Sequence, residues 1–206
     1  MLKRTKGYLL LTLLVLTGLG GRIHSDSLSG KERRFLTSHL KETKTGLIKA
    51  VEGLTDAQLN FKPSAEQWSI KECVQHIALS EANLWTWAES TLKETPNPEK
   101  RNDIKVKDEE VVAKVSSREN RVKTTETLEP ASSKWSSANE ALEAFKESRG
   151  ALLKYVKTTT EDVRSHVTQS HMGSIDVYQV MLLISAHTAR HIKQIEEIKT
   201  AQHFPK

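Results

Sequence analysis

The sequence predicts an all-α fold: a four-helix bundle with a long crossover between its second and third helices. Three observations lead there. Four long segments repeat apolar residues at three- and four-residue steps among charged ones, the pattern of amphipathic helices. Glycine is scarce, with nine in 206 residues, four of them in the first 25. The connection between the second and third long segments spans residues 96–137. A short loop would force those two helices to run antiparallel, whereas a connection of this length lets the chain cross the bundle and run parallel.

Residues 1–25 precede the helices and read as a secretory signal peptide. Lys3, Arg4 and Lys6 form a basic start, Gly7 to Gly21 an apolar run, and Gly18, Gly20, Gly21 and Ser25 a small-residue exit. The run is shorter than the ~20 apolar residues a membrane-spanning helix needs. The expected mature protein is therefore one domain, residues 26–206, secreted or periplasmic, with no stable membrane insertion after cleavage. The full chain has a formal charge of +5. The first 25 residues hold four basic side chains and no acidic one, so the rest carry 27 basic and 26 acidic, a net +1. A near-neutral domain argues against nucleic acid as a partner. The single cysteine, Cys73, excludes an intrachain disulfide framework and a multi-thiolate zinc site.

The first helix is expected over residues 27–53, on Leu36, Leu40, Leu47, Ile48 and Val51. Thr55-Asp56 starts a short turn to Leu59, and Pro63 marks a loop. Ser69 and Glu72 have capping-box spacing, with Trp68 placed as the staple before them. They open a second helix on Ile70, Val74, Ile77, Leu84 and Ala88, ended by Pro96 and Pro98. Within the crossover, Val111, Val112 and Val115 suggest a helix around 108–128, stopped by Pro130. Ser137 and Glu140 form another capping box and open a helix on Ala141, Phe145, Leu152 and Val156, running to about Thr160. Gly173-Ser174 breaks the chain before a last helix from Ile175 to Gln202. No segment reads as a strand.

The last helix carries the chemistry. Its inward stripe is Val177, Val180, Ile184, His187, His191, Ile195 and Ile198. His187 and His191 are one turn apart, about 40° around the axis, so both imidazoles face inward and can share one ion. His-x-x-x-His on a helix is a common zinc-ligand spacing. His76, beside Ile77 on the second helix, is a candidate third ligand; three protein ligands leave a metal site open. The alternative is unrelated helix histidines, hydrogen-bonded within the core. Cys73, one turn before His76, reads more simply as a small buried hydrophobe. Ser80, Asn83 and Gln194 lie near the histidines and can orient them, and His171 can approach from a turn. The four tryptophans read as core and bundle-end packing. No glycine-rich phosphate loop, nucleophile elbow or His-Glu-x-x-His motif is present, and no general base stands out.

In this order, Trp68-Ser69-Ile70-Lys71-Glu72, His76-Ile77-Ala78-Leu79-Ser80-Glu81 and His187-Thr188-Ala189-Arg190-His191-Ile192-Lys193-Gln194-Ile195 resemble the DinB-like superfamily. Phe145-Lys146-Glu147-Ser148-Arg149 and Gly173-Ser174-Ile175-Asp176 fit its spacing too. The resemblance implies an up-down-down-up four-helix bundle and a metal ion, zinc or nickel, held by His76, His187 and His191. It also implies a metal-dependent enzyme of hydrolase or thiol-transferase type acting on a small molecule. Export sets this chain apart from the thiol transferases, which work where cytosolic thiol is abundant, and shifts the expectation toward hydrolysis or binding. The alternatives are a non-catalytic metal- or ligand-binding bundle and a metal-free structural one. A homodimer is compatible with a helical bundle, although no exposed seam marks one.

Overall fold

The computed structural model describes residues 28–119 and 123–206. The signal-peptide expectation for residues 1–25 falls outside them. Among the described residues no helix is long and apolar enough to cross a membrane.

Four long helices form the bundle: α1 (Gly30–Val51), α3 (Ile70–Leu92), α5 (Ala138–Thr158) and α6 (Val177–Lys199). Between them lie the short helices α2 (Asp56–Asn60) and α4 (Asp108–Ser116), and a hairpin of β1 (Val167–Ser170) and β2 (Gly173–Asp176). Each long helix starts where a side chain accepts the third backbone N–H, which would otherwise lack a partner. Ser29 with Glu32, Ser69 with Glu72, and Asp176 with Gln179 form full capping boxes for α1, α3 and α6. At α5, Ser137 accepts from Glu140 N, while the Glu140 carboxylate turns back to Ser136 instead.

Cross-helix contacts fix the topology. At their starts, α1 and α6 meet where Tyr178 Oη donates to Glu32 O at 3.1 Å. Further along, Gly46 lets α6 approach, since a Cβ there would meet Ile192 Cδ1 at 3.1 Å. These two helices are therefore parallel. Arg33, near the start of α1, donates to the Val156 and Thr159 carbonyls at the end of α5, so α1 and α5 are antiparallel. Gln75 donates to Trp135 O beside the start of α5, and Trp85 meets Tyr155 further along, so α3 and α5 are parallel. Trp68, before the start of α3, stacks on His191 in the second half of α6, and His166, whose carbonyl accepts from Val177 N at the start of α6, meets Thr91 O at the end of α3, so that pair is antiparallel. The order is up-down-down-up. Helix α1 packs on α5 and α6, α3 packs on the same two, and α1 and α3 lie across the diagonal.

The core is two apolar clusters. One holds Leu36, Leu40, Leu152, Val156, Met181 and Ile184, and the other Leu47, Ile70, Val74, Ile77, Phe145 and Ile195. A polar layer lies between them. Arg149, fully buried on α5, donates to both Glu81 carboxylate oxygens at 2.6 Å. It also donates to Leu40 O at 2.9 Å, Thr43 Oγ1 at 2.6 Å and Thr188 Oγ1 at 2.9 Å. A guanidinium has five N–H donors, and all of them are used, on residues from the three other bundle helices. Burial raises the pKa of Glu81, and Arg149 beside it opposes the rise.

Two expectations need correction. The helix expected over 108–128 ends at Ser116, because the four residues after Val115, Ser116 to Glu119, offer no apolar side chain to hold another turn against the bundle, and the chain turns extended at Ser117. The stretch read as a break at Gly173-Ser174 is part of an antiparallel hairpin, with Val167 paired to Asp176. Gly173 takes a φ of +92° at its turn, a conformation that favours glycine. Strands of four residues are too short to show a period. Arg164 ties this end together: it contacts Glu32, Asp108 and Asp176 and lies over the Tyr178 ring at 3.8 Å. Helix α4 is thereby docked along α6, and with it the chain that follows it.

Candidate metal centre

His76, His187 and His191 meet where α3 crosses α6, one level from the buried Arg149 layer. Each offers a ring nitrogen, and these atoms lie within 4.8 Å of one another. His187 Nε2 is 3.2 Å from His76 Nε2 and 3.2 Å from His191 Nε2. The other nitrogens decide the tautomers. His76 Nδ1 is 2.7 Å from the Leu128 carbonyl oxygen, an obligate acceptor, so it carries the proton. His191 Nδ1 is 2.9 Å from Gln194 Oε1, which also accepts from Arg118 Nη1 at 3.3 Å, so this nitrogen carries its proton too. Both Nε2 atoms are then bare lone pairs aimed at a common point.

Without a cation, only the His187 proton and the Ser80 hydroxyl, 3.4 Å from His76 Nε2, are placed to bridge these atoms. Neutral His187 has at most one proton at Nε2 and can donate it to only one of its two neighbours. Protonating the rings is also disfavoured. Burial, chiefly, lowers the pKa of His76; burial and the other two imidazoles push His191 well below its ordinary value; and burial, then His76, takes His187 down to about 3. The three rings are therefore neutral donors at neutral pH. A tetrahedral ion with metal–nitrogen bonds of about 2.0–2.1 Å has ligand edges of about 3.3–3.4 Å, close to the two 3.2 Å separations. The donor set fits a divalent cation, with the orienting Nδ1 contacts typical of metal-bound imidazoles.

Trp68 closes one side, 4.7 Å from the His76 ring and stacked 6.0 Å from that of His191. His76 and His191 are buried, whereas His187 is partly exposed, so the approach is from the His187 side. The cluster itself contains no carboxylate.

The three histidines are thus brought together as the sequence suggested. Ser80 Oγ lies 3.4 Å from His76 Nε2, and Gln194 orients His191. Asn83 does not join them; it is exposed and bonds Leu79 O. His171 sits exposed in the hairpin turn. Cys73 is buried in the apolar cluster, its thiol pKa pushed up by burial, as expected of a small hydrophobe. Sequence reasoning missed Trp68 as a wall of the cluster, Leu128 as the partner of His76, and Arg118. The crossover has no period that would have placed the last two.

The DinB superfamily model matches residues 39–195. The chain belongs to the DinB superfamily. Uncharacterized protein YuaE of Bacillus subtilis (strain 168) is 29% identical to it over 151 residues, 72% of this chain and 88% of that protein. Among solved structures, YfiT from Bacillus subtilis superposes with a TM-score of 0.58 at 22% identity, over 84% of this chain and 89% of that one. YfiT is described as a probable metal-dependent hydrolase with an unusual four-helix bundle topology. That likeness agrees with the four-helix bundle found here.

Proposed function

We propose that this DinB-superfamily chain is an exported metal-dependent enzyme that acts on a small molecule, with His76, His187 and His191 holding one zinc or nickel ion. The convergence of three neutral Nε2 atoms carries this reading. Imidazole donors suit either metal. The description of YfiT supports hydrolysis over thiol transfer, and the basic start and apolar run of residues 1–25 support export, secreted or periplasmic, to where a cytosolic thiol cofactor is scarce. A bound divalent ion supplies Lewis acidity toward an electrophile or a nucleophile. The chain's own part is positional. Leu128 O and Gln194 Oε1 hold two imidazoles in register, Trp68 keeps water from one side, and the His187 side is left for substrate.

The test is elemental analysis of the untagged protein beside His187→Ala. About one zinc or nickel per chain, lost in the variant, is the expected result. No ion in the wild type after loading with either metal would overturn the reading, and a tightly held ion without turnover on any substrate class would leave a binding bundle. Gln194→Ala is expected to weaken metal affinity by about 10–100-fold, since it removes the partner that orients His191. Competition with a chromogenic chelator measures that loss.

A further inference from the structure

One side chain at the histidine cluster has a hydrogen-bond partner that an ion would take from it. Ser80 lies on α3 one turn after His76 and is only 2% exposed. Its hydroxyl has a single partner among the described residues, His76 Nε2 at 3.4 Å. The direction of that bond is fixed. His76 carries its proton on Nδ1, held by the Leu128 carbonyl, so Nε2 accepts and Ser80 Oγ donates. The lone pair that accepts is the same one that His76 offers to a cation.

The position of Ser80 along the helix adds to this. The step from His76 to Ser80 leads away from Trp68, which walls the cluster beside His191. Helix α6 runs the opposite way, so the same step leads from His191 toward His187, the partly exposed ring. Ser80 is therefore on the side from which a substrate enters. A cation on His76 Nε2 leaves the Ser80 hydroxyl without its acceptor, and a buried donor left unpaired is costly. An acceptor atom arriving beside the ion restores the bond. A carbonyl or carboxylate oxygen keeps lone pairs to spare for this, whereas an imidazole that gives its one bare nitrogen to the ion has none left.

We propose that Ser80 donates a hydrogen bond to the oxygen that a substrate carbonyl or carboxylate presents at the open side of the histidine cluster, and so selects oxygen ligands over nitrogen ones. This rests on the metal-enzyme reading and narrows its substrate to compounds that react at a carbonyl or carboxyl group.

Cobalt(II), whose visible spectrum reports its ligands, is loaded into the full protein, and acetate and imidazole are titrated in separately. Acetate is expected to bind the wild type saturably and Ser80→Ala about tenfold or more weakly, since a hydrogen bond to a charged acceptor is lost. Imidazole should bind both alike, which separates the lost hydrogen bond from a disturbed metal centre. Ser80→Thr, which keeps the hydroxyl, should recover part of the loss. Asn83→Ala, at an exposed position of the same helix, should match the wild type with both ligands. No acetate binding to the cobalt protein would overturn the proposal. So would equal acetate affinity in the wild type and Ser80→Ala, equal losses for acetate and imidazole, or the same loss in Asn83→Ala. In each of these cases cobalt uptake leaves the metal centre standing. A wild type that takes up no cobalt would overturn both.

Discussion

Arg149→Ala is expected to cost about 3–5 kcal/mol of folding stability. The side chain is fully buried, and its five donors are divided among Glu81, Leu40, Thr43 and Thr188. Truncation would leave the Glu81 carboxylate buried without its counter-charge, which is costlier than losing the pair together. Chemical denaturation should therefore show Glu81→Leu/Arg149→Met to be markedly more stable than Arg149→Ala. A buried ion pair replaced as a unit by apolar side chains is often neutral or better. The single variant should also show a steeper pH dependence than the wild type, in which burial already raises the Glu81 pKa. With Arg149 gone, only burial acts on Glu81, and its folded pKa stands above its unfolded value of about 4.3. The folded state then binds the extra proton. Stability is highest below the unfolded pKa and is lost as pH rises through the folded one. A loss under about 1 kcal/mol in Arg149→Ala, or a double variant as unstable as the single, would mean the layer is not the tie between helices that its geometry indicates.

Chelation is expected to lower the Tm of the loaded protein by roughly 8–16 °C. An ion present at about a thousand times its Kd adds about 4 kcal/mol to the folded state, and a chain of this size shifts by about 2–4 °C per kcal/mol. In the metal-free protein the Nε2 atoms face one another at 3.2 Å, bridged only by the His187 proton and by the Ser80 hydroxyl 3.4 Å from His76. His187→Ala should melt at the same temperature with and without chelator. A scan of the four samples decides the matter. An unchanged wild-type Tm after chelation would reduce the cluster to a structural feature of the core.

The helices and the histidines were legible for the same reason: both are written in local spacing. Ser69 and Glu72, three residues apart, announce the start of α3, and the 187–191 step sits inside an apolar stripe whose phase points inward. The expected ends, 27–53 and 175–202, overrun Gly30–Val51 and Val177–Lys199 by two or three residues, as happens when periodicity fades into polar caps. The shell around the site was not legible. Leu128 and Arg118 act through long-range contacts, one through a backbone carbonyl that no side-chain pattern reports. Trp68 was visible as a large apolar residue before a cap, but its stacking on imidazoles depends on α6 lying alongside. Glu81 and Arg149 are separated by 68 residues, and each alone looks like an ordinary charge on a helix.

His76 and His187 are 111 positions apart in the chain. The crossover, α5 and the hairpin must all be in place before α6 can lie between α1 and α3. Closing so long a loop costs about 4 kcal/mol of chain entropy, and the rings gain their orienting partners only once the helices are packed. Contacts of this sequence separation form slowly and late. The three-ring site therefore forms only with the last helix, and a polypeptide interrupted anywhere before it lacks two of the three imidazoles. Uptake of the ion becomes a certificate of completion: it reports that the final helix has been threaded into its slot.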